Sequence, residues 1–87
     1  MIVVNQEKAL QNKREAASLS KADFKIALME AGYLQDVKDF VANTNDERIQ
    51  ILWEDSATFA RLDPDLLNMA SQMGYTDEQM DALFGVV

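Results

Sequence analysis

Eighty-seven residues, 48% of them apolar and 26% charged, suffice for one globular domain and lie well away from the composition of a disordered chain. The chain has no cysteine and no histidine, which removes disulfides, thiolate metal sites, zinc in its usual ligand sets, serine-histidine triads and the commonest general base. Its net charge of -7 disfavours duplex nucleic acid, whose binding rests on lysines and arginines that neutralise phosphates.

In chain order, the opening Met1-Ile2-Val3-Val4 is too short for a signal-peptide core, and later apolar runs reach only a few residues. The sequence therefore predicts no membrane span and a protein made in the cytosol. Residues 5–18 hold good helix formers but few large apolar side chains, with Val4 and Leu10 as anchors. They read either as a solvated helix that needs a partner or as a mobile arm, and amide exchange over residues 1–18 is expected to be fast in the isolated protein because this segment cannot pack by itself. Five of the eight basic residues, Lys8, Lys13, Arg14, Lys21 and Lys25, fall in the first 25 positions against three acids, so this end carries about +2 and the remainder about -9.

The clearest helix start is Ser20-Lys21-Ala22-Asp23, where the serine oxygen can accept a backbone N–H and an acid occupies the first turn. Phe24, Ala27, Leu28 and Ala31 follow on one face, and Gly32 suits a left-handed C-terminal cap. Tyr33, Val37, Phe40 and Val41 continue with helical spacing until Asn43-Thr44-Asn45-Asp46 interrupts and turns the chain. Thr44 with Glu47 reads as a capping box for a third helix, whose inward face is Ile49, Leu52, Trp53, Ser56 and Ala60. Asp63-Pro64 restarts the helix pattern, which Leu66, Met69, Ala70 and Met73 carry to Gly74. A last box, Thr76 to Gln79, precedes Met80, Leu83 and Phe84.

These signals predict an all-α fold: a compact bundle of about five short helices in a helical domain, residues 20–87, preceded by an N-terminal arm, residues 1–19. The expected core is Phe24, Leu28, Val37, Phe40, Ile49, Leu52, Trp53, Leu66, Met73 and Leu83. A chain this short buries only roughly 60% of the surface its unfolded form exposes, so spare apolar surface is expected to meet another chain. Ile2, Val3 and Val4 at one end and Met80 and Phe84 at the other are the candidate partner-binding residues.

The chemical motifs reduce to structural ones. Glu54-Asp55 beside Trp53 could suggest a sugar site, but adjacent helical residues point about 100° apart and do not converge on one bond. Asp63-Pro64-Asp65 lacks the alternating ligands, central glycine and closing glutamate of a calcium loop. Met73-Gly74-Tyr75 superficially resembles the loop of ubiquitin-associated domains, but its place between two helices suits a glycine cap. Met69, Met73 and Met80 at helical spacing read as core filler, with Met80 and Phe84 the ones that could also engage a partner. No catalytic, cofactor-binding or metal-ligating residue is expected.

Taken as a string, Ser20 to Leu34 (SKADFKIALMEAGYL) resembles the start of small helical proteins encoded in tail-fibre and tail-assembly modules of tailed bacteriophages and prophages. Residues 49–61 (IQILWEDSATFAR), Asp63-Pro64 and residues 69–84 (MASQMGYTDEQMDALF) match that family's Trp-Glu, Pro, Leu-Gly-Leu-Thr and Asp-x-Leu-Phe landmarks in order. The resemblance covers residues 20–84, about three quarters of the chain, with methionine and tyrosine at some positions where the family favours leucine or alanine. It implies a non-enzymatic protein that acts by protein–protein interaction in tail or tail-fibre assembly, without a cofactor. The implied partner is a phage tail protein, a host protein or a second copy of the chain, in the host cytoplasm or the virion. The alternative is an acidic inhibitor that occupies the basic groove of a host nucleic-acid-binding system.

Overall fold

The computed structural model describes residues 6–86, with side chains from Lys8 onward. In chain order these form α1 (Gln6–Ala16), β1 (Ser18–Ser20), α2 (Lys21–Ala31), α3 (Leu34–Asn43), α4 (Glu47–Asp55), β2 (Thr58–Ala60), α5 (Pro64–Met73) and α6 (Asp77–Leu83). The fold is mainly α, and α2 to α6 are the five short helices expected from the sequence. Side chains cap the starts of α2, α4, α5 and α6, and glycines end α2 and α5, whereas α3, with Tyr33 at its N-cap, has no side-chain cap.

Ser20 Oγ accepts the Asp23 N–H at 3.2 Å and starts α2. Gly32, at φ 83°, ends it, and the following Tyr33 N–H returns to the Leu28 carbonyl at 2.8 Å. Asp63 Oδ1 accepts the N–H groups of Asp65 and Leu66 ahead of α5, with Pro64 in the first turn. Thr76 and Gln79 form the reciprocal box at α6: Thr76 Oγ1 accepts the Gln79 N–H at 3.2 Å, and Gln79 Oε1 accepts the Thr76 N–H at 2.8 Å.

The cap of α4 differs from expectation. It is Asp46, whose Oδ1 accepts the Arg48 N–H at 3.0 Å, whereas Thr44 Oγ1 accepts the Asp46 N–H at 3.1 Å. Thr44 still belongs to the end of α3 as its C-cap, so the helix can start only after the turn that the threonine hydroxyl supports.

The second difference is a two-stranded antiparallel ladder. Ser18 pairs with Ala60, Leu19 with Phe59 and Ser20 with Thr58. The Lys21 N–H donates to the Ala57 carbonyl at 2.9 Å and the Arg61 N–H to the Ala17 carbonyl at 3.0 Å, which extends the pairing at both ends. Ser18 and Leu19, assigned to the arm by composition, are thus tied to the body. The ladder also changes the period after Asp55 from helical to alternating, so Phe59 turns inward and Ala60 outward, not Ala60 inward as a continued helix would require.

Phe59 is the centre of the core. Its ring stacks on Phe24 at 4.6 Å and approaches Trp53 at 6.3 Å, while Phe24 in turn meets Phe84 at 5.4 Å. Leu28, Val37, Ile49, Leu66 and Met69 close around these rings. Eight of the ten expected core residues are buried; Phe40 and Met73 are half-buried against the rim.

Candidate functional site

The terminal apolar residues expected to meet a partner divide into two groups. Ile2, Val3 and Val4 lie outside the described residues. Met80 and Phe84 are only 2% and 8% exposed, so they do not present a free surface. The cause is local: α6 is short, Met80 and Leu83 on it and Phe84 at its C-cap are all buried in the core, and the Phe84 ring meets Phe24 at 5.4 Å. The chain then folds back at Gly85, φ 69°, with the Val86 N–H on the Asp81 carbonyl at 2.8 Å, which buries Val86 as well.

Exposed apolar surface is found on α2 instead. Phe24 and Leu28 fill the core from one side of this helix, while Ile26 and Met29, three residues apart on the other side, remain 47% and 59% exposed. Ile51, 57% exposed, stands on α4 in the same way, between the buried Ile49 and Leu52. The basic residues of α2 face elsewhere: Lys25 Nζ lies 4.9 Å from the centroid of the Trp53 ring, and Lys21 Nζ donates to the Glu54 carbonyl. These contacts hold α2 to the end of α4 and leave the Ile26–Met29 strip outward. Such a strip can bind by desolvation, at roughly 25 cal/mol for each Å² of apolar area removed from water.

The charged groups converge at Asp81. Arg14, from α1, donates Nε to Asp81 Oδ1 at 2.9 Å and Nη2 to Oδ2 at 2.7 Å, a forked pair. Arg61, only 1% exposed, donates Nε to the same Oδ1 at 2.9 Å, and its Nη2 reaches the Asp77 carbonyl and Oδ1, each at 3.3 Å. The Arg14 hydrogen bonds, aided by Arg61 and opposed by burial, hold the Asp81 carboxyl below its ordinary range. The same hydrogen bonds raise Arg14. A carboxylate held ionised between two guanidinium groups is poorly suited to accept or deliver a proton near neutrality, and the cluster is well suited to fastening α1 and β2 to α6.

Sequence reasoning did not single out Arg61 or Asp81. The signal was the alternation Thr58 out, Phe59 in, Ala60 out: carried one step further, it points Arg61 inward and calls for a buried carboxylate to meet it. Among the described residues no three acidic side chains gather to hold a metal ion, and no helix is long and apolar enough to cross a membrane. Comparison with protein-family models, with curated proteins and with solved structures finds no match to this chain.

Proposed function

We propose that this is a non-enzymatic protein that acts by binding another protein in a phage or prophage tail or tail-fibre module. The observation that carries the binding role is the outward Ile26–Met29 strip on α2, a helix already packed into the core through Phe24 and Leu28. The phage setting rests on the ordered landmarks in residues 20–84. The contact surface is therefore assigned to the outer face of α2 and not to Met80 and Phe84.

The test is affinity capture from phage-infected or induced cells, with the captured proteins identified by mass spectrometry. Ile26→Asp with Met29→Asp should abolish capture of a tail protein while leaving the helical circular dichroism spectrum unchanged, because both side chains lie outside the core. Undiminished capture by the double variant would remove α2 as the contact. Loss of capture only on charge reversal at Glu54 and Asp55, with a nucleic-acid-binding host protein as the captured species, would favour the acidic inhibitor.

A further inference from the structure

We propose that the cleft between α3 and the α5–α6 turn receives the guanidinium group of an arginine side chain presented by a partner protein. It is a shallow cleft, widely open to solvent, of ≈ 500 Å³, and is lined by Asp36, Asp39, Phe40, Asn43, Met73 and Tyr75. Asp36 and Asp39 stand three residues apart on α3, so their carboxylates share one side of the helix. Both are exposed, and neither pairs with a basic side chain among the described residues. Asp39 Oδ1 accepts the Gln35 amide at 2.9 Å, which leaves it further acceptor capacity.

The rest of the wall is apolar and polarizable. Phe40, Met73 and Tyr75 are half-buried, and Tyr75 stacks on Tyr33 with ring centroids 5.0 Å apart, so its ring is held in place. Asp36 and Tyr75 line the same cleft, and burial, then the charge of Asp36, raise the Tyr75 phenol above its ordinary range. Its hydroxyl is shielded from solvent and has no hydrogen-bond partner among the described residues.

Two unneutralised carboxylates beside aromatic rings and a thioether select the ligand. An anion is repelled, and a neutral apolar group would leave the carboxylates without a partner. A guanidinium group is flat, weakly hydrated and forked, so one face can lie on a ring while its N–H groups reach carboxylate oxygens. A lysine ammonium is a more strongly hydrated point charge and satisfies only part of this arrangement.

The inference rests on the protein-binding reading only for the source of the arginine; the cleft is tested by itself with a small probe. Titration of isotope-labelled protein with N-acetyl-arginine methylamide, followed by amide chemical shifts, should move Asn43, Thr44, Gly74 and Tyr75 together. The neutral citrulline analogue should bind about tenfold more weakly or worse, as loss of charge-assisted hydrogen bonds requires, and the lysine analogue should also bind less well. Asp36→Asn with Asp39→Asn should lose the arginine response, whereas Glu54→Gln with Asp55→Asn should keep it. These carboxylates are exposed, so the variants retain the fold, and the amide spectrum reports it directly. Absence of a response, equal responses to arginine and citrulline or to arginine and lysine, shifts scattered over the acidic surface, or an undiminished response in the Asp36/Asp39 variant would overturn the proposal. Arginine binding here, with capture unaffected by the α2 variants, would strike the assigned α2 contact alone; the reverse result would strike the cleft alone.

Discussion

A guanidinium group that is 1% exposed must be paired, because an isolated charge removed from water carries a penalty of several kcal/mol. Arg61 meets this requirement through Asp81 and, more weakly, Asp77. Asp81→Asn should therefore destabilise the protein by about 3 kcal/mol, the lower end of the range for breaking a buried pair, since Asp77 stays in reach. Denaturant unfolding measures this. In the same experiment Phe59→Ala should cost about 3–5 kcal/mol, as an aromatic ring lost from the core, and Ile26→Ala should stay within about 0.5 kcal/mol. An Ile26→Ala cost equal to that of Phe59→Ala would mean that the outer face of α2 is not free. The Arg61–Asp81 pair was hard to read because its members lie 20 residues apart, and Arg14 joins Asp81 across 67. Local periodicity carries no information about such distant partners. Phe59 was closer to legible, since its neighbours alternate, but three residues are too few to displace a helical pattern that runs up to Asp55.

At the level of elements, the helix ends were the most readable part of the chain because they depend on residues within a turn of one another. Ser20, Gly32, Asp63, Gly74 and the Thr76–Gln79 box all act as their types and spacings imply. Gly74 sits at φ 78° with open space where a Cβ would stand, so Gly74→Ala should cost about 1 kcal/mol from backbone strain alone. The ladder of β1 with β2 was not legible: Ser18-Leu19-Ser20 and Thr58-Phe59-Ala60 are brief and far apart, and only tertiary packing joins them. Helix α1 depends on the body in a different way, through the Arg14–Asp81 fork and the partly buried Leu10. The Asp81 carboxyl is held below its ordinary value of 3.8, chiefly by Arg14. A depressed carboxylate contributes stability that is complete above its unfolded pKa and disappears as pH falls through the lower folded one. Amide hydrogen exchange followed from about pH 5 to about pH 2 should therefore show α1 losing its excess protection before α2 to α5, once intrinsic rates are corrected. Asp81→Asn should give the unprotected α1 already at neutral pH. Protection of α1 that is unchanged in both experiments would mean that the fork does not hold the helix.

For the whole molecule, a net charge of -7 sets up a competition between two kinds of recognition. The charge-led kind predicts binding that steepens at low salt and collapses as the Debye length shortens to about 3 Å at 1 M. The apolar kind, through Ile26 and Met29, is not screened, because removing hydrocarbon from water does not depend on counter-ions in that way. If an arginine also enters the cleft beside Asp36 and Asp39, salt should weaken the complex without dissolving it. Partner capture measured at low salt and at about 1 M salt should accordingly fall by a limited factor in the unmodified protein. It should be absent at both salts in the Ile26→Asp/Met29→Asp variant. In the Asp36→Asn/Asp39→Asn variant, capture should be weaker than in the unmodified protein at low salt and nearly independent of ionic strength, since the screened contribution has been removed while the apolar contact remains. Complete release of the unmodified protein at high salt, together with loss on charge reversal at Glu54 and Asp55, would instead make the acidic surface the principal contact and give the α2 strip at most a supporting role.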